Sequence, residues 1–139
     1  MSGAAQPLDI APLGNATARL REGLARHQSE PADEQLRDGL IQRFEYTYEL
    51  CHRFIRRFIQ RTSASPEEVD RIAFQDLIRA ANQQRLLLGD WPAWHCYRNL
   101  RARAGHTYRA EAADQVAAAV PAFLAEAEHL RDQLQARLR

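Results

Sequence analysis

At 139 residues, with a net charge of +1 and 45% hydrophobic residues, the chain has room for one buried core and not for two. No apolar run approaches the ~20 residues needed to span a bilayer, and Met1 to Pro7 is small and polar rather than basic then apolar, so neither a membrane span nor a secretory signal is expected. The expectation is a single domain over residues 1–139, disordered at 1–7 and cytoplasmic.

The apolar residues follow a helical period, and alternating strand-like runs are missing. A first helix is predicted from about Leu8 to Arg26, carrying Leu13, Leu20 and Leu24 inward and weakened by Gly14 and Gly23. Ser29-Glu30-Pro31-Ala32 reads as a break and restart. The second helix, about Ala32 to Thr62, has the strongest pattern: Leu36, Leu40, Phe44, Tyr48, Cys51, Ile55 and Phe58 form one stripe.

Ser65, Pro66, Glu67 and Glu68 form a start signal for a third helix, predicted to run unbroken to about Gln84 with Val69, Ile72, Ala73, Leu77 and Ala80 inward. Asp90 is placed to cap a fourth, about Trp91 to Ala104, with Gly105 suited to a left-handed residue at its end. A last helix, about Arg109 to Arg137, should be kinked at Pro121. The expected fold is all-α: an antiparallel, up-down bundle of four to five helices.

All 19 basic side chains are arginine. Codon composition accounts for that most simply, though guanidinium also binds phosphate oxygens in pairs. Cys51 and Cys96 lack metal-ligand spacing and are expected to be buried thiols.

The segment Arg101-Ala102-Arg103-Ala104-Gly105-His106-Thr107-Tyr108 gathers a permanent cation, a group that titrates near neutrality and a phenol. Those residue types suit chemistry on a phosphodiester. On an unbroken helix Arg101 and His106 would lie ~140° apart, so joint action requires the helix to end near Gly105. The bland reading is that Arg101 pairs with an acid and His106 caps a helix end.

The Arg-x4-His-x-Tyr pattern of Arg101, His106 and Tyr108 resembles the motif of the HEPN superfamily. The run from Leu36 to Leu50, Leu-Arg-Asp-Gly-Leu-Ile-Gln-Arg-Phe-Glu-Tyr-Thr-Tyr-Glu-Leu, is similar to a characteristic helix of its nucleotidyltransferase substrate-binding proteins. Gly105-His106-Thr107-Tyr108 is close to that family's Ser-His-Thr-Tyr. These blocks fit from about Leu8 to the C-terminus. The resemblance implies a helical bundle, a homodimer with two motifs across one cleft, and a minimal nucleotidyltransferase (MNT) partner acting as antitoxin.

It further implies metal-independent RNA cleavage without a cofactor. His106 would act as general base or acid and Arg101 would hold the phosphate. Tyr108 matches the tyrosine that the partner adenylylates to switch the nuclease off. No Asp/Glu/His cluster has metal spacing, which speaks against a two-metal nuclease. Ala102 departs from the polar residue that often follows the motif arginine, which keeps open a non-catalytic subunit that presents substrate to the transferase, or a helical adaptor. The chain has no Gly-Ser motif followed by paired aspartates, so it is not the transferase itself.

Arg53, Arg56, Arg57 and Arg61 form a basic stripe beside Phe54 and Phe58, read either as a solvated face or, at Arg53, Arg56 and Arg57 above all, as a surface for RNA or the partner. Glu45, Tyr46 and Tyr48 are candidates for lining a groove between subunits. Trp91 and Trp94 are expected to close the end of the bundle, with one of them available to stack on a base.

Overall fold

The computed structural model describes residues 8–106 and 109–138. Among the described residues six helices follow in order: α1 (Ala11–Ser29), α2 (Glu34–Thr62), α3 (Pro66–Val69), α4 (Phe74–Gln83), α5 (Trp91–Ala104) and α6 (Ala110–Arg137). No strand occurs among the described residues, and the fold is an all-α bundle.

Cross-helix contacts give the directions. Arg43 donates to the Arg19 carbonyl at 2.7 Å while Leu40 lies beside Gly23, so α1 and α2 are antiparallel. Arg21 holds Glu128 and Arg131 reaches Thr17, so α1 and α6 are also antiparallel. Arg37 pairs with Asp114 and Phe44 meets Phe123, so α2 and α6 run parallel. They form the shared centre, with α1 and α5 packed on them.

The α2 stripe predicted from periodicity is buried from Leu40 to Phe58, while Leu36, at the helix start, is half-buried. The helix begins at Glu34, where the Asp33 carboxylate accepts from the Gln35 and Leu36 amides at 2.9 and 3.1 Å. At the bundle centre Phe123 meets Phe44 at 5.0 Å and Tyr97 at 5.2 Å, both edge-on. Trp94 closes this cluster, fully buried.

The expected single helix from Pro66 to Gln84 is two helices. The chain breaks at Asp70–Ala73, Ala73 turns extended and exposed, and Phe74 drops into the core. Arg56 stabilises the break by donating to the Val69 carbonyl at 2.7 Å. Because Val69, Ala73 and Leu77 keep a four-residue spacing across it, the interruption leaves no trace in periodicity.

After α4, Arg85 takes a left-handed conformation (φ 58°). Its amide donates to the Asn82 carbonyl at 2.9 Å and the Leu86 amide to the Ala81 carbonyl at 3.0 Å, the two bonds of a Schellman end. The following loop is anchored by Glu126, a buried carboxylate of α6 that accepts from the Leu88 and Gly89 amides, each at 2.7 Å. A Cβ at position 89 would lie 2.7 Å from the Ala93 Cβ and 2.8 Å from the Glu126 carboxylate, so only glycine fits there.

Two further expectations are corrected. Gly105 is right-handed (φ −73°), because α5 ends through a tight turn in which the His106 amide donates to the Arg103 carbonyl at 2.8 Å. Cys51 is buried as expected, but Cys96 is exposed on the outer side of α5. α6 continues unbroken through Pro121, which sits on its exposed side.

Candidate functional site

Arg101 lies in the last turn of α5 and His106 just beyond it, after the chain has left the helix. Ending α5 at Ala104 removes the angular constraint an unbroken helix would impose. Arg101 turns towards α2: Nη1 pairs with Glu45 at 3.3 Å, and Nη2 donates to Glu49 in a very short contact. The two acids lie one turn apart and together hold the guanidinium, whose pKa rises through the Glu49 hydrogen bond first. Among the described residues, the buried Arg101 Nε has no hydrogen-bond partner.

In the sequence Glu45 stood out only as a groove-lining candidate and Glu49 not at all; neither was expected as the partner of Arg101. The available signal was Glu45 and Glu49 at i and i+4, on the same helix as the arginines of its second half. Tyr48 faces the core and not a groove. Burial pushes its pKa up to about 12, outweighing the nearby Arg98 and Arg101, which fixes the phenol as protonated. Among the described tyrosines, Tyr46 is the exposed one, at 56%.

Ala104 and Gly105 border an open groove of about 570 Å³ whose α2 wall carries Asp38, Gln42 and Glu45. Gly39 and Gln42 also border a second groove, of about 620 Å³, between α1 and α2 with Arg19 and Tyr46. His106, which follows Gly105 in the chain, is exposed, and Ala102 is exposed on α5. Thr107 and Tyr108 lie outside the described residues.

The basic stripe on α2 is divided. Arg53 and Arg57 are exposed, whereas Arg56 is half-buried and committed to the Val69 carbonyl and to the edge of His52. The pKa of His52 is lowered by burial first and then by Arg56 and Arg98, which favours the neutral imidazole. Among the described residues, no group of three or more His, Cys, Asp or Glu side chains is placed to hold a metal ion, and no helix is long and apolar enough to cross a membrane.

This architecture has close relatives. The family model described as nucleotidyltransferase substrate binding protein like matches residues 8–136. Over 99 residues the chain is 35% identical to a Haemophilus influenzae protein named probable ribonuclease HepT, covering 71% of this chain and 67% of that one. A solved Haemophilus influenzae structure, described as revealing the fold of a substrate binding domain of a nucleotidyltransferase, matches with a TM-score of 0.86 at 28% identity, over 91% of this chain and 99% of that chain. With a family match spanning nearly all of its described helices, the chain belongs to the nucleotidyltransferase substrate-binding family of the HEPN superfamily.

Proposed function

We propose that this chain is the HEPN subunit of a two-component MNT/HEPN toxin–antitoxin system, a homodimeric, cytoplasmic and metal-independent endoribonuclease held in check by its nucleotidyltransferase partner. The observation that carries this reading is that Arg101 and His106 flank the end of α5, where Ala104 and Gly105 line an open groove whose α2 wall carries Glu45, the partner of Arg101. The relative's name, probable ribonuclease HepT, supports it, and the substrate-binding domain described for the solved neighbour supports a nucleotidyltransferase partner.

In this mechanism His106 takes the proton from a ribose 2′-hydroxyl, whose oxygen bonds to phosphorus as the bond to the 5′-oxygen breaks. The same imidazole type, protonated, can supply the proton the leaving oxygen needs. Arg101 exchanges a carboxylate for the phosphate and stabilises the charge that develops on its oxygens. Tyr108 is the proposed AMP acceptor, since phosphate attached there would compete with RNA for Arg101. Arg53 and Arg57, both exposed, are the proposed contacts for an RNA backbone or the partner.

A second reading is a non-catalytic subunit that presents substrate to the transferase. The double pairing of Arg101 with Glu45 and Glu49, together with Ala102, favours it. Expression in a bacterial host without the partner separates the two. Growth arrest that His106→Ala abolishes supports the nuclease; harmless wild-type expression supports the binding subunit.

A further inference from the structure

The side of α5 that leads away from the motif carries residues the proposed cleavage does not use. Trp91, His95, Arg98 and Ala102 recur at steps of four, three and four residues, so they share one side of the helix. Trp91 is half-buried and held by two neighbours: His95 stacks on its ring at 5.0 Å with the planes 20° apart, and Phe74 meets it edge-on at 5.7 Å. Arg98 lays its guanidinium over Phe74 at 5.1 Å. Where α4 approaches the start of α5, Asp90, Trp91 and Pro92 wall an open pocket of about 400 Å³ whose other side carries Gln75, Arg79, Asn82 and Gln83. That volume is in the range of small-ligand sites.

Each part of this pocket matches a part of an unpaired nucleotide. A flat indole already fixed by its neighbours stacks on a base with little further loss of rotamer freedom. Asn and Gln amides present a donor beside an acceptor, the arrangement that base edges also carry. Arg79 is 64% exposed in a pair with Asp76, an interaction it gives up for a phosphate at little cost. An apolar side chain from a protein partner would cover the indole but leave these amides facing it unpaired.

We propose that this pocket binds one unpaired nucleobase of an RNA, stacked on Trp91, with the backbone running past Arg98 towards Arg101 and His106. This rests on the RNA reading of the function above. From Trp91 to Arg101 the helix rises ~15 Å, which places the base about four nucleotides from the bond to be cut at the 3.4 Å spacing of a stacked strand.

The test is binding of a short, unstructured, fluorescein-labelled RNA, followed by anisotropy in a His106→Ala background that suppresses cleavage. Adding Trp91→Ala is expected to weaken binding about tenfold or more, the scale of one lost base–aromatic stack, while Trp91→Phe retains most of the affinity. Asn82→Ala with Gln75→Ala is expected to alter the preference among RNAs differing at one base, which decides the matter if Trp91→Ala melts well below its parent. Unchanged affinity in a folded Trp91→Ala chain, no RNA binding by the parent, or a defect confined to docking of a protein partner would each overturn the proposal. Trp91-dependent binding by a chain that cuts no RNA keeps this site and removes the nuclease. Cleavage with an unaltered KM in Trp91→Ala does the reverse.

Discussion

Arg101 donates to Glu49 across the interface of α5 and α2, so the guanidinium proposed to meet a phosphate rests against a carboxylate. The pair is partly open to solvent, with side-chain exposures of 30% and 50%, and such pairs are worth ~1 kcal/mol or less. Glu49→Gln is therefore expected to change stability by less than ~1 kcal/mol. RNA affinity, measured by titration, should rise about threefold as a competing anion is removed. Weaker binding would show that Glu49 positions Arg101 for RNA instead of restraining it.

Arg85 holds a left-handed conformation that a Cβ disfavours. Arg85→Gly is expected to stabilise the fold by about 0.5–1 kcal/mol, because the Schellman bonds are backbone bonds and survive the change. A rise of a few degrees in the melting midpoint checks it; a fall would mean that the Arg85 side chain contributes more than its backbone costs.

Glu126 secures the loop before α5, and through it the start of the helix that carries Arg101. Gly89→Ala should destabilise by about 2–3 kcal/mol, since the added methyl meets both Ala93 and the carboxylate. Burial raises the Glu126 pKa, outweighing the Leu88 and Gly89 amides and His129, while the nearby Trp94 indole N–H also favours the anion without reaching hydrogen-bond geometry. A carboxyl with a raised folded-state pKa contributes stability that is fully present below its unfolded value and lost as pH rises through its folded value. The advantage of the wild type over Glu126→Gln, from denaturant unfolding at several pH values, should therefore be largest in acid and narrow towards neutrality. An advantage that grows with pH would contradict this assignment.

Cys96 is exposed and Cys51 fully buried, with burial raising the Cys51 pKa. Iodoacetamide should label one thiol in the folded chain and both after denaturation. Labelling of both in the folded state would mean that the core around Cys51 opens readily.

Regular apolar spacing made α2 and the bundle legible in the sequence, because Leu40, Phe44, Cys51 and Ile55 had to share one side of a helix. The break between Val69 and Phe74 was not legible. It keeps the helical spacing and is held by Arg56, a residue distant in sequence whose reach appears only after folding. The same holds for the site. Arg101 and His106 stood out by chemical type, and the end of α5 near Gly105 was foreseeable, but not its right-handed turn. The Glu45 and Glu49 partners required knowing that the last turn of α5 packs on the middle of α2, which no local pattern encodes. Cys96 was expected inside because cysteine favours interiors, but its position on α5 faces outward beside His95 and Asn99.

Incubating the purified chain with total tRNA in EDTA, wild type beside His106→Ala, tests the central claim most directly. Cleavage by the wild type that persists with the chelator and disappears in His106→Ala is the expected result. Intact tRNA with the wild type, or equal cleavage by both chains, would contradict a nuclease built on Arg101 and His106.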